Sequence, residues 1–205
     1  ARPRRDALRA EMGLADRKVL LYVGKLGGWY LQREMVDFFV RAKRHVPDLH
    51  LLVLTQSDRA LIDVELRRFG VTDADVTIRS APAQMVPAYL AAADAALAFI
   101  RPTYSKISSS PTKIGEYLAA GLPVVTGRGV GDVDGLLEGS GTGIVLDDFG
   151  DASMDRAAEA LGVAIGDPEQ AARARRCADD ELSLRDVGIP AYERLYERLA
   201  ARAGR

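Results

Sequence analysis

The stretch SSSPTKIGEYLAAGLPVVT, from Ser108 to Thr126, decides how this chain folds. Pro111 is a good first residue for a helix, because its ring presets φ and its missing amide is no loss in a first turn. The serines before it can cap. Gly121 ends the helix and Pro123 forbids its continuation, so Pro123-Val124-Val125 drops directly into a short buried strand. A short helix aimed by the strand that follows it is the punctuation of an α/β unit.

The same helix has an entrance of chemical interest. The amides of Thr112, Lys113 and Ile114 are expected to point outward unpaired, at the positive end of the helix dipole, where a phosphate group satisfies them. Lys113 adds positive charge there. Glu116 lies one turn further in, and a carboxylate can accept charge-assisted hydrogen bonds from two neighbouring ribose hydroxyls. Ordinary capping and macrodipole chemistry use the same residue types, so the segment alone is equally compatible with a purely structural helix.

Outward from this segment, short apolar runs alternate with longer helical patterns. Strands are expected at Val19 to Val23, Leu51 to Leu54, Val76 to Ile78, Ala95 to Phe99, Pro123 to Val125 and Gly143 to Val145. Between them, Leu31 to His45 puts Met35, Phe38, Phe39 and Ala42 on one face, and Asp58 to Phe69 does the same for Leu61, Ile62, Leu66 and Phe69. From about residue 151 the chain reads as helical, with candidates at Ala157 to Ile165, Gln170 to Leu182 and Ala191 to Ala201. The fold class is therefore α/β: a Rossmann-like three-layer domain, with a parallel sheet of about six strands and helices on both faces. Ligands of such sheets bind at the carboxyl ends of the strands, where strand order reverses.

Composition fits one such unit. The 205 residues are 48% hydrophobic with a net charge of -1, enough for a full core and without a disorder signature. The balanced charge gives no global attraction to nucleic acid, and the arginines at Arg2 to Arg9 and Arg173 to Arg176 read as solvated helix faces. A single cysteine, Cys177, permits no internal disulfide and reads as incidental; a reducing compartment is expected. No run approaches a membrane span. Asp132 and Asp134 have the alternate spacing of oxygen ligands, but their loop is too short and lacks a terminal bidentate ligand, so a helix entrance and no metal site is expected. His45 and His50 flank Pro47 with no nucleophile nearby and read as helix-terminal or surface residues; Tyr192 and Tyr196 read as packing residues.

The Ser108 to Val125 motif resembles the donor-site motif of the family-four "group 1" retaining glycosyltransferases of the GT-B fold. The likeness extends to Val19-Leu20-Leu21-Tyr22-Val23-Gly24-Lys25-Leu26-Gly27-Gly28, to Val86-Pro87-Ala88-Tyr89-Leu90-Ala91-Ala92-Ala93-Asp94 and to Gly141-Thr142-Gly143-Ile144-Val145-Leu146, most of the chain. It implies a single nucleotide-sugar-binding domain over residues 1–205, the C-terminal half of a GT-B enzyme, with the N-terminal acceptor domain outside this sequence. Lys25 then faces the donor pyrophosphate and Glu116 the ribose. Gly24, Gly27 and Gly28 allow close backbone approach, and Ala81, Pro82 and Ala83 lie against a uracil or guanine base. The family commonly has a glutamate eight residues before the ribose glutamate and a second basic residue shortly after the first. Here those places hold Ser108 and the run Trp29-Tyr30-Leu31 before Arg33, so the pyrophosphate is expected to be less fully neutralised. Either the loop from Tyr104 to Ser110 recognises the sugar in another way or the activity has changed; Arg101 and Lys106 are available there to phosphates or are simply solvated.

The function so implied is donor binding in the retaining transfer of a sugar from a UDP or GDP sugar to a hydroxyl acceptor. The nucleotide sugar is the substrate and no cofactor is needed. Catalytic groups are expected mainly in the acceptor domain, with Lys25 and Lys113 as electrostatic stabilisers and little turnover by the isolated domain. Location is expected to be cytoplasmic, with peripheral attachment to the inner face of a membrane open through the acceptor domain. The alternatives are a non-catalytic nucleotide-binding or scaffolding module of this fold and a UDP-sugar epimerase. The epimerase lacks identifiable acid-base residues here, and a NAD dehydrogenase is disfavoured because Gly24 to Gly28 is not a Gly-x-Gly-x-x-Gly turn into a helix.

Overall fold

The structure, a computed structural model, describes residues 2–203, with the side chains of residues 5–202. Six parallel strands form one sheet: β1 (Lys18–Val23), β2 (Leu49–Leu54), β3 (Val76–Arg79), β4 (Ala95–Ala98), β5 (Val124–Gly127) and β6 (Gly143–Leu146), in the order β3-β2-β1-β4-β5-β6. The helices are α1 (Arg2–Glu11), α2 (Gln32–Ala42), α3 (Ala60–Arg68), α4 (Val86–Ala92), α5 (Thr112–Ala119), α6 (Val133–Ser140), α7 (Asp151–Gly166), α8 (Gln170–Leu182) and α9 (Ile189–Ala203). All six expected strands form, with ends displaced by one or two residues. The fold is the three-layer α/β arrangement expected, with strand order reversing between β1 and β4.

Both faces of the sheet are covered, which is why β1 and β2 read as continuous apolar runs rather than alternating ones. Alternate residues of each strand go to opposite sides. Leu20, Tyr22, Leu51, Val53, Leu97 and Val125 pack with α2, α3 and α7, whereas Val19, Leu21, Leu52, Ala96 and Val124 pack with α1, α4, α5, α6 and α8. Phe38 meets Phe99 edge to face at 5.5 Å, an arrangement that satisfies the ring quadrupoles.

Several expected surface residues are internal. Arg5 donates to the carbonyls of Ala91 (2.7 Å) and Ala93 (2.9 Å) and pairs with Asp94 at 2.8 Å. The buried Arg9 bonds to the carbonyls of Ala92 and Arg17 and pairs with the other oxygen of Asp94 at 3.0 Å. Asp94 Oδ2 also accepts from the Val19 amide at 2.8 Å, so one carboxylate ties α1, α4 and β1 together. Arg2 and Arg4 lie outside the described side chains. At the other cluster, Arg173 is half-buried against Asp167 and Gln170, while Arg175 and Arg176 are exposed as expected. His50 is buried, because β2 begins at Leu49 and carries it inside; its Nε2 lies 2.9 Å from the Thr77 hydroxyl. Cys177 is a free thiol buried in the α8 face. Leu61 is exposed on α3, with Ile62 and Leu66 supplying its buried face.

Tyr192 and Tyr196 also depart from expectation. They stand 63% and 67% exposed on α9, in line with Leu195 and Leu199, and among the described residues nothing covers that stripe. No helix among the described residues is long and apolar enough to cross a membrane.

Candidate functional site

The loops after β1 and β4 meet where strand order reverses. Tyr30 and Ile100 form an isolated antiparallel bridge, the Leu31 amide donates to the Phe99 carbonyl at 3.2 Å and the Arg101 amide to the Trp29 carbonyl at 2.8 Å. This joins two segments far apart in sequence into one wall of a crevice at the carboxyl ends of the strands, the place that parallel sheets reserve for ligands.

Gly24 opens the β1 loop at φ +146, followed by Gly27 at +79 and Gly28 at +63. Side-chain-bearing residues rarely adopt such angles. A Cβ on Gly24 would sit 2.7 Å from Lys113 Nζ, so the glycine also makes room for that lysine. Lys113 reaches back from the start of α5 to the underside of the loop. Its Nζ lies 4.6 Å from the Tyr22 ring centroid and 4.4 Å from that of Tyr30, is shut off from solvent, and has no hydrogen-bond partner among the described residues. Burial lowers the Lys113 pKa to about 8, with Glu116 acting in the opposite direction. Two aromatic faces favour a cation between them. The cage itself is held by hydrogen bonds: Tyr22 donates its hydroxyl to the Lys25 carbonyl, and Tyr117 accepts from the Val23 amide at 3.0 Å.

The entrance to α5 differs in detail from the sequence expectation. Pro111 is not the first helical residue but the residue before it, with ψ 112, and no serine side chain caps the helix. The Ile114 amide is already bonded to the Pro111 carbonyl at 3.0 Å in a tight first turn. Two amides, of Thr112 and Lys113, are left without acceptors among the described residues. The loop before them is pressed against the start of α6, where Gly131 donates to the Lys106 carbonyl at 2.9 Å. Asp132 and Asp134 open α6, as expected of a helix entrance, and the Gly129 amide donates to Asp134 at 2.9 Å. Among the described residues no group of three or more His, Cys, Asp or Glu is placed to hold a metal ion.

Three hollows are lined by residues of these loops and of the helices that follow them. One of about 410 Å³ is bounded by Gly24 and Lys25 after β1, Thr55, Gln56 and Ser57 after β2, and Ala81, Ala83 and Val86 after β3. Its volume lies in the range of about 300–1,000 Å³ common to small-molecule sites. Pro82 stands exposed beside it without lining it. A second, of about 430 Å³, lies along α5 and α6 and is lined by Ser110, Thr112, Ile114 and Glu116. A third, of about 410 Å³, has Gly28, Tyr30, Arg33, Glu34, Glu65 and Arg101 in its wall. Ser108 is exposed on the loop above α5 and lines none of the three, and Gly27 donates to Gln32 Oε1 at 3.3 Å. Thr55, Gln56 and Ser57 escaped the sequence reading, although their position just past a buried parallel strand is a usable signal. The sequence does not single out Tyr22, Tyr30 and Tyr117 either, because the rings of the first two and the hydroxyl of the third act only once three elements meet.

Residues 17–173 match the family model for glycosyl transferases group 1. The chain belongs to that family. A search of curated proteins by sequence returns no match. Among solved structures, this group 1 chain is similar to HepE from Anabaena in complex with UDP and glucose, at 18% identity and a TM-score of 0.77 over 96% of this chain and 53% of that one. It is also similar to WaaG, a glycosyltransferase involved in lipopolysaccharide biosynthesis, at 22% identity and a TM-score of 0.65, covering 87% of this chain and 47% of that one. The C-terminal domain of the group 1 protein LpcC from Francisella tularensis aligns at 12% identity and a TM-score of 0.62, over 82% of this chain and 87% of that domain. The chain thus spans about half the length of HepE and WaaG. At these identities the likeness establishes the GT-B C-terminal fold.

Proposed function

We propose that this chain is the donor-binding domain of a retaining glycosyltransferase, and that it holds a nucleoside diphosphate sugar with UDP or GDP as the nucleotide. The observation that carries the reading is the approach of the α5 entrance, with its two free amides, to the glycine loop after β1, where Lys113 Nζ reaches Gly24, the residue before Lys25. The HepE complexes with UDP, UDP-glucose and UDP plus glucose support a nucleotide sugar as ligand.

The nucleoside fits the hollow between Gly24 and Val86, with its base against Ala81 and Ala83. The diphosphate lies between the glycine loop and the entrance to α5, and Glu116 accepts from the ribose hydroxyls. As the bond from sugar to phosphate breaks, negative charge grows on the leaving nucleotide. Lys25, Lys113 and the amides of Thr112 and Lys113 stabilise that charge, the amides without reorganising because the helix has already fixed them. Attack on the face of departure requires an acceptor hydroxyl delivered from an N-terminal acceptor domain, so the isolated chain binds donor and turns over little. The donor is consumed as substrate, and the scheme calls for no metal or cofactor.

Calorimetric titration with UDP and GDP tests this. Replacing Glu116 by Gln should weaken the nucleotide that binds by about 1.5–3 kcal/mol, the range for a hydrogen bond to a charged group. Unchanged affinity in a folded variant would remove Glu116 from the site.

A further inference from the structure

Lys113 brings three N–H donors to a place where nothing accepts them. Its Nζ is shut off from solvent and makes no hydrogen bond among the described residues, an arrangement that buried polar groups ordinarily avoid. Burial by itself favours the neutral amine and lowers the Lys113 pKa to about 8. Three groups act the other way. Glu116, exposed one turn further along α5, favours the cation. So do the faces of Tyr22 and Tyr30, whose ring centroids lie 4.6 and 4.4 Å from Nζ. Burial holds the Tyr22 and Tyr117 hydroxyls well above the usual phenol range, so neither brings a charge to the cage. Lys25, the nearest cation along the loop, is exposed to solvent.

The two rings are held differently. Tyr22 is fully buried in β1 and donates its hydroxyl to the Lys25 carbonyl, so packing and hydrogen bonding account for it. Tyr30 is half-buried on the loop, and its hydroxyl makes no hydrogen bond among the described residues. Its backbone is nevertheless fixed: the Tyr30 amide donates to the Gly27 carbonyl at 3.2 Å, Tyr30 bridges Ile100, and the following amide, of Leu31, donates to the Phe99 carbonyl at 3.2 Å. The end of β4 thereby sets where the Tyr30 ring stands, edge to face with Tyr22 at 6.3 Å. Between them Nζ lies 2.7 Å from where a Cβ on Gly24 would be, at the underside of the glycine loop.

We propose that Tyr30 is a positioning residue for donor binding: with Tyr22 it keeps Lys113 protonated and fixed beneath the glycine loop, so that a buried ammonium faces the diphosphate. This rests on the donor-domain reading. The ring face is the working part, because the Tyr30 hydroxyl bonds to nothing. A cation–π contact away from water shifts a protonation equilibrium about tenfold, or about one pH unit. A diphosphate favours the charged amine, so affinity is full below about pH 8 and falls as pH rises through it. Without the Tyr30 ring that fall begins about one pH unit lower.

Tyr30→Phe keeps the ring, and Tyr30→Leu keeps apolar cover without a π face. NMR of the unliganded chain carrying carbon-labelled lysine, with the Lys113 Cε signal assigned by its loss in Lys113→Met, should give one titration midpoint for the wild type and Tyr30→Phe and a midpoint about one pH unit lower for Tyr30→Leu. Calorimetry with whichever of UDP and GDP binds should then find Tyr30→Leu within about twofold of Tyr30→Phe at pH 6.5 and about tenfold weaker at pH 9; comparing the variants at one pH cancels the titration of the nucleotide. In a Lys113→Met background that difference should vanish. A Lys113 midpoint that does not move in Tyr30→Leu would overturn the cage. A midpoint that moves while the affinity ratio stays the same at both pH values would overturn the positioning role, because a loop that is merely loosened weakens binding alike at every pH. Failure of every nucleotide to bind the wild type would overturn the donor-domain reading and the positioning role with it, and the NMR midpoints would still decide the cage.

Discussion

Gly131→Ala is the sharpest structural perturbation available near the site. Gly131 sits at φ +59, and a Cβ built there would lie 1.8 Å from the carbonyl oxygen of Ser109, so the loop into α5 must retreat by more than 1 Å to reach even the shortest tolerable contact of 3.0 Å. The left-handed angle alone costs a side-chain-bearing residue about 1–2 kcal/mol. The retreat also strains the 2.9 Å hydrogen bond from Gly131 to Lys106, worth about 1 kcal/mol net. Together these give a loss of about 2–3 kcal/mol. For a chain of this size each kcal/mol lowers the midpoint by about 2–4 °C, so scanning calorimetry should find a drop of roughly 4–12 °C. Because Ser109 is three residues before α5, the same shift misaims the Thr112 and Lys113 amides, and affinity for a nucleoside diphosphate should fall at least tenfold while that for the nucleoside changes little. Gly139→Ala is the control: it lies within α6 with nothing inside 4 Å of its added Cβ, and helix propensity predicts a gain of about 0.5–1 kcal/mol. A Gly131→Ala protein that melts at the wild-type temperature would refute the close-approach argument.

Three more outcomes follow from the geometry. Lys25→Ala should weaken a nucleoside diphosphate far more than the nucleoside in parallel titrations; equal losses would take Lys25 off the phosphates. Asp94→Asn removes a carboxylate that serves Arg5, Arg9 and the Val19 amide, leaving the buried Arg9 short of its counter-charge, and should cost about 3–5 kcal/mol in urea unfolding; a loss below about 1 kcal/mol, the value of an exposed pair, would contradict it. Burial, reinforced by Arg17 and Lys43 and opposed by Asp75, lowers the His50 pKa from 6.5 to about 4. The folded state therefore binds fewer protons than the unfolded one in that interval, and the stability that His50 contributes is full above pH 6.5 and lost as pH falls toward 4. The loss is bounded at about 3 kcal/mol, and His50→Gln should flatten the dependence of the urea midpoint between those pH values; an unaltered slope would clear His50 of the effect.

The sheet and the α5 to β5 motif were legible because local chemistry writes them. Pro111, Gly121 and Pro123 punctuate whatever the rest of the chain does, and strands buried on both faces leave uninterrupted apolar runs. What the sequence concealed depends on elements meeting. Arg9 looks like any basic residue of an N-terminal helix until Asp94, more than eighty residues on, arrives beside it. His50 moved inside because a strand started two residues early, which inverts exposure without altering composition. The Lys113 cage needs Tyr22 from β1, Tyr30 from a loop and the α5 entrance at once, and no spacing rule encodes a three-element contact. The α9 stripe has helical spacing typical of a core, yet spacing alone cannot say whether a partner surface lies within the same fold.

The bridge between the loops after β1 and β4 also bears on how the molecule assembles. Leu20 pairs with Leu51 on one side and with Ala95 on the other, so the β1–β4 pairing closes a much longer stretch of chain than the β1–β2 pairing and carries the larger loop-closure entropy. The crevice therefore lies over the seam in the sheet that closes the longer loop of chain. A ligand spanning that seam would act as a late fastener: it would slow unfolding rather than hasten folding, and its absence would be felt first as premature parting of the sheet down the middle.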